Sequence, residues 1–89
     1  MRIKQGFKLR TVGKEYIVAG EGLAQIDFNK LISLNSSAAY LWQEVEGKDF
    51  DEKTLADLLV SKYGIPVGQA LTDANDIARS WIDAGIVEE

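Results

Sequence analysis

Several groups of side chains in this 89-residue sequence have types and spacings that chemistry could use. Ser36 and Ser37 are adjacent hydroxyls, the raw material of a nucleophile. Asp49, Asp51 and Glu52 crowd carboxylates together, as a hard-cation site would. Asp73 and Asp76 are spaced to sit near each other on a helix, as a general acid–base pair would. Trp42 and Trp81 offer flat faces on which a ligand could stack. Each has a simpler use. The sequence contains no histidine and no cysteine, so nothing supplies an imidazole base for the serines, a thiolate, a disulfide or a Cys/His zinc site. The serines read as helix-capping residues. The acidic cluster lacks the Gly at the sixth position and the Glu at the twelfth that a calcium loop requires, and reads as solvated linker charge. Asp73 and Asp76 read as a wet helix face, and the tryptophans as core. No P-loop, GxGxxG or GxSxG is present. The expectation is a protein without catalysis, cofactor or metal.

Charge narrows the partners. With 10 Lys+Arg against 14 Asp+Glu the formal net charge is −4, which disfavours nucleic acid, whose binding draws on cations set against phosphates. Five of the cations, Arg2, Lys4, Lys8, Arg10 and Lys14, fall in the N-terminal stretch. They make a candidate surface for phosphate or an acidic peptide, or a charged strand face that discourages edge aggregation. Residues 1–6 contain no apolar signal-peptide core, and no apolar run approaches the roughly 20 residues of a membrane-spanning helix, so a cytoplasmic protein is expected. The length suits one domain, residues 1–89, with one modest core.

The elements that must hold these groups follow from periodicity. Phe7 and Leu9 alternate with Lys8 and Arg10, a half-buried strand. Gly13-Lys14 is a two-residue turn, and Glu15-Tyr16-Ile17-Val18-Ala19 is a β-rich return strand, with either the Tyr16/Val18 or the Ile17/Ala19 face buried. Gly20-Glu21-Gly22 turns again. Ala24, Ile26 and Phe28 alternate with Gln25 and Asp27, Asn29-Lys30 interrupts, and Leu31-Ile32-Ser33-Leu34 resumes, either as one bulged strand or as two strands. With Ile32 and Leu34 facing the core, Leu31 and Ser33 face outwards.

From Asn35 the pattern becomes helical. A first helix is expected over about 36–46, capped by Asn35, Ser36 and Ser37, with Ala38, Leu41, Trp42 and Val45 on one face and Gly47 at its end. A second is expected over 52–63, capped by Asp51, burying Leu55, Leu58, Leu59 and Tyr63 and stopping at Gly64. A third is expected over 66–84, with Val67, Ala70, Leu71, Ala74, Ile77, Ala78, Trp81 and Ile82 in an unbroken stripe. Arg79–Asp83 is spaced as an i,i+4 pair. Ile86-Val87 should pack back on the core.

Leu34-Asn35-Ser36-Ser37-Ala38-Ala39, then Leu41-Trp42 and Glu46-Gly47, resembles the Leu-Asn-x-Thr-Ala … Ile-Trp … Gly segment of the PqqD family, named for a pyrroloquinoline quinone (PQQ) biosynthesis protein. Leu55, Leu58, Leu59 and Tyr63 match the family's next helix, Asp76-Ile77 its Asp-aliphatic pair, and Trp81-Ile82 with Gly85-Ile86-Val87 its closing segment. Ile26-Asp27-Phe28-Asn29 and Ile32-Ser33-Leu34 are similar to members found beside radical-SAM proteins. The chain departs from the pattern at Ser36, where an acidic residue is common, and at Ser37, which replaces Thr; both are still capping types. The resemblance covers about residues 7–87.

It implies an α+β fold of winged helix-turn-helix type, a three-stranded antiparallel sheet followed by three helices. It implies a peptide chaperone, a recognition element for ribosomally made, modified peptides. Such a protein binds the leader of a precursor peptide as an extra strand and presents it to a modifying enzyme, often a radical-SAM protein. The peptide site so implied is the third strand and third helix: Leu31, Ile32, Ser33, Leu34, Asp76, Ile77, Ser80 and Trp81. Strand addition at a sheet edge agrees with the physics of unpaired N–H and C=O groups. Two other readings fit the outline. One is a DNA-binding winged helix, against which the third helix carries Asp73, Asp76 and Asp83 beside Arg79 alone. The other is an oligomerisation module, such as a homodimer, whose edge pairs with its own copy.

Overall fold

The alternating N-terminal segments form strands and the 3.6-periodic ones form helices. The computed structural model describes residues 1–20 and 31–89. In order these are β1 (Arg2–Ile3), β2 (Phe7–Val12), β3 (Glu15–Gly20), β4 (Leu31–Leu34), α1 (Ser36–Val45), α2 (Glu52–Tyr63), α3 (Val67–Ala84) and β5 (Val87–Glu88). Strands β2, β3 and β4 form an antiparallel sheet in that order, and three helices follow, so the α+β class expected from the sequence is the one found. The expected helix bounds hold to within a residue. Of the expected turn at Gly20-Glu21-Gly22, Gly20 is the last residue of β3; Glu21 and Gly22, the alternation over 24–28 and the bulge or turn at Asn29-Lys30 lie outside the described residues.

Register decides which face of β3 is buried. Val18 pairs with Leu9 and with Ile32, and Tyr16 pairs with Leu34. The inner face is therefore Phe7, Leu9, Tyr16, Val18, Ile32 and Leu34, with Val18 fully buried. The opposite face carries Lys8, Arg10, Ile17, Leu31 and Ser33. On α1 the expected face of Ala38, Leu41, Trp42 and Val45 is buried, and Ala39 is buried beside it.

Helices α2 and α3 make the most extensive helix–helix contact. Leu55, Ala56 and Leu59 of α2 are buried, as are Ala70, Ala74 and Ala78 of α3, whose short side chains let the two axes approach. This seam is narrower than the apolar stripe. Tyr63, Val67 and Leu71, all expected inside, are 42%, 63% and 40% exposed. Leu71 lies about 100° round the helix from Ala70, at the margin of the stripe. Val67 is the first residue of α3 and follows directly on the Gly64-Ile65-Pro66 connection.

The caps show which polar residues are structural. Asn35, and neither serine, caps α1: its Oδ1 accepts from Ala38 N–H at 2.8 Å and from the Ser37 hydroxyl at 3.0 Å. Ser36 is the first helical residue. Asp51 caps α2 in a reciprocal box. Its Oδ1 accepts from Thr54 N–H at 2.8 Å and from the Thr54 hydroxyl at 2.9 Å, while Asp51 N–H donates to Thr54 Oγ1 at 3.3 Å. The Thr54 backbone bond, then its hydroxyl bond, hold the Asp51 carboxyl below the usual carboxylate range. Helix α2 ends on Gly64 at φ +64, the left-handed cap expected there. The spaced pair Arg79–Asp83 does not form an ion pair; on this face Gln69 Nε2 donates to Asp73 instead, at 2.9 Å.

Two features go beyond the periodicity. Phe50, in the α1–α2 connection, is 4% exposed and meets Trp81 edge to face at 6.1 Å. The chain ends pair with each other: Arg2 and Ile3 of β1 lie antiparallel to Glu88 and Val87 of β5, and Lys4 N–H donates to the Ile86 carbonyl at 3.0 Å. Ile86 and Val87 are buried as expected, held by a strand pairing rather than by packing alone.

Candidate functional site

The site is assembled from β4, the start of α1 and the exposed side of α3. Its first component is backbone. Val12 and Glu15 flank a two-residue turn with Gly13 at φ +63. The residues closing such a turn are hydrogen-bonded, and bonding alternates along the ladder from there. Glu15, Ile17 and Ala19 therefore direct their N–H and C=O groups at β2, and Tyr16 and Val18 direct theirs at β4. In the β3–β4 register Tyr16 faces Leu34 and Val18 faces Ile32. Leu34 and Ile32 are thus bonded inwards, and Leu31 and Ser33 present N–H and C=O at the outer edge. Among the described residues no strand pairs with that edge. Its four residues offer about 13 Å of backbone.

The second component is a pair of adjoining depressions. One, of about 230 Å³, is lined by Leu34, Ala38, Ile77 and Trp81 with Ser33, Asn35, Asp76 and Ser80 around them. The other, of about 430 Å³, lies between the start of α1 and the α2–α3 wedge, with Leu59, Tyr63 and Ile65 as apolar walls and Asp73 and Ser37 at the rim. Asn35, Asp76 and Ile77 belong to both, so the two read as one groove running from the strand edge along α3. Tyr63, exposed where the stripe predicts burial, is a wall of it. Its ring packs edge to face on Tyr40 at 6.2 Å, and Lys62 Nζ sits 4.7 Å from the Tyr40 ring centroid.

The model of the family "Coenzyme PQQ synthesis protein D (PqqD)" matches residues 16–87, most of the chain. The chain belongs to the PqqD family. No curated protein and no solved structure matches it. The family match takes in β4, α1, α2 and α3, the elements that line the groove.

Of the eight site residues expected from the sequence, Ser33, Leu34, Asp76, Ile77, Ser80 and Trp81 line one depression. Leu31 and Ile32 do not. Leu31 is 67% exposed on the opposite face of the sheet, and Ile32 packs against the core. Both remain on the edge strand. Sequence reasoning missed Asn35 and Ala38, which it assigned to cap and core, and Asp73, Tyr63 and Ile65 of the second depression. The Asp73/Asp76 spacing was the available signal, since residues three apart share a helix face.

The other candidates resolve into structural roles. Trp42 is fully buried and Trp81 is 1% exposed. Among the described residues no group of three acidic side chains is placed to hold a metal ion, and no helix is long and apolar enough to cross a membrane. The N-terminal cations do not make one patch. Arg2, Lys4 and Lys8 line a broad depression of about 790 Å³ together with Glu46 and Glu88, whereas Arg10 and Lys14 are not among its walls. Arg2 lies 4.0 Å from Asp49, and Lys8 3.7 Å from Glu46.

Proposed function

We propose that this protein is a non-catalytic accessory that binds the leader of a ribosomally made precursor peptide and presents it to a peptide-modifying enzyme of the radical-SAM class. The peptide adds as a strand to β4 and lies against α3, with Leu31, Ile32, Ser33, Leu34, Asp76, Ile77, Ser80 and Trp81 forming its seat. The observation that carries this reading is the open outer edge of β4 lying beside a groove walled by α3. Main-chain bonds along such an edge give affinity, and the adjacent depression gives side-chain preference. Membership of a family named for coenzyme PQQ synthesis supports a role in making a modified-peptide product. The whole chain acts as one domain in this reading. The α2–α3 pair, joined through Gly64-Ile65-Pro66, supplies the helix-turn-helix outline of a winged-helix type.

Titration of fluorescently labelled precursor peptides, encoded beside the gene, into the protein tests the proposal. Saturable binding in the micromolar range is expected; no binding by any of them at high micromolar concentration overturns it. A self-pairing edge is the competing use of β4. Sedimentation velocity with and without peptide separates the two, because a peptide that occupies the edge dissociates a dimer built on it.

A further inference from the structure

The groove's charge specifies what kind of peptide fits it. Among the described residues no Lys or Arg lines either depression, whereas Asp76 lines both and Asp73 lines the second. Asp73 accepts a hydrogen bond from Gln69. Asp76 is exposed and engages no partner among the described residues. The two carboxylates are three residues apart on α3, about 4.5 Å along its axis, on the side turned to the groove. Next to them the β4 depression is apolar at its base, with Leu34, Ala38, Ile77 and Trp81. A strand added to β4 points every second side chain the same way, at a repeat of about 7 Å. One side chain that fills the apolar depression therefore has a same-face neighbour two residues away within reach of Asp76 and Asp73.

We infer that the groove takes a peptide segment in which a large apolar residue is followed or preceded, two positions away, by an arginine or lysine. The inference rests on the peptide-binding reading above and adds the charge of the ligand to it. The acidic rim disfavours a peptide that brings a carboxylate to the same place, since like charges set face to face oppose binding. Tyr63, on the far wall, adds an aromatic surface over which a guanidinium can lie. The same carboxylates disfavour duplex DNA in this groove.

Selection from a display library of random peptides about ten residues long tests this on the intact protein. Peptides enriched on the wild-type protein should carry Arg or Lys two positions from Phe, Leu, Ile, Tyr or Trp. On Asp76→Lys the preference should turn to Asp or Glu, and on Asp76→Asn it should weaken without reversing. For a selected synthetic peptide, replacing its basic residue by Glu should weaken binding about 10-fold at low salt, with the gap closing at high salt. Enriched peptides with no charge bias, or the same bias on Asp76→Lys as on wild type, overturn the charge inference. If their binding is still lost on Ser33→Pro, the strand-addition reading stands. No enrichment at all, or binding indifferent to Ser33→Pro and to Ser80→Trp, overturns strand addition and the charge inference with it. Asp76 is exposed on a helix surface, so circular dichroism of its variants should match wild type.

Discussion

Trp42 and Trp81 meet edge to face inside the protein, their ring centroids 5.5 Å apart and their planes at 80°. The contact ties α1 to α3, and Trp81 also forms part of the groove wall. Among the described residues the Trp42 indole N–H is buried without a hydrogen-bond partner. That donor costs stability of order 1–3 kcal/mol, while the ring's burial contributes more. Trp42→Ala should therefore destabilise by about 3–5 kcal/mol, and Trp42→Phe by far less, because it removes the unpaired donor along with part of the ring. Urea denaturation of the two variants checks the difference.

The ladder geometry separates binding from folding within one short strand. Leu31→Pro and Ser33→Pro each remove an N–H that points at the open edge, so peptide affinity should fall while the helical signal and melting temperature change little. Ile32→Pro removes an N–H bonded to β3 and should cost about 1–3 kcal/mol of folding stability. Thermal melts and peptide titration on the same three proteins test this. Equal destabilisation by all three would refute the register argument.

The Asp51 box gives a pH signature. Hydrogen bonds from Thr54 favour its ionised form, so its folded pKa lies below the ordinary 3.8. The stability it contributes is complete above that ordinary value and is lost as pH falls through the lower folded value. Asp51→Ala should lower the melting temperature by several degrees at neutral pH, and the gap to wild type should narrow progressively as pH falls below about 4. Melting curves from pH 7 down to pH 2.5 measure it.

Residues 1–15 lie before the family match but supply β1, β2 and the buried Ile3 and Phe7. A chain begun at residue 16 should show no cooperative unfolding transition. A chain begun at residue 6 keeps β2, loses the partner of β5, and should melt cooperatively but earlier. Near-ultraviolet circular dichroism and thermal scans on both truncations decide this.

The legible parts of the fold are those set by neighbours in sequence. Asp51 announces its cap three residues before Thr54 answers it, Gly64 marks a left-handed end, and Ala38, Leu41, Trp42 and Val45 show their face within two turns. What stayed hidden depends on distant partners. Nothing near Ile3 indicates that it pairs with Val87, and a lone Phe50 in a linker carries no period. The stripe on α3 shows which residues are apolar but not how wide a strip α2 covers, hence the exposed Val67 and Leu71. The face of β3 stayed open until Leu9 and Ile32 fixed Val18 between them. At the site, the resemblance pointed to the wall residues Asp76, Ile77, Ser80 and Trp81. Asp73 and Tyr63 enter only because α2 leaves a wedge beside α3.

The paired tryptophans are the only two in the chain. All intrinsic indole emission therefore comes from one contact, and one of its rings borders the groove. A side chain entering the depression changes the surroundings of Trp81 and, through the edge-to-face contact, the coupling between the two chromophores. Occupancy of the groove is thus written into the protein's own ultraviolet fluorescence and near-ultraviolet dichroism, and can be followed on unlabelled protein with a tryptophan-free peptide.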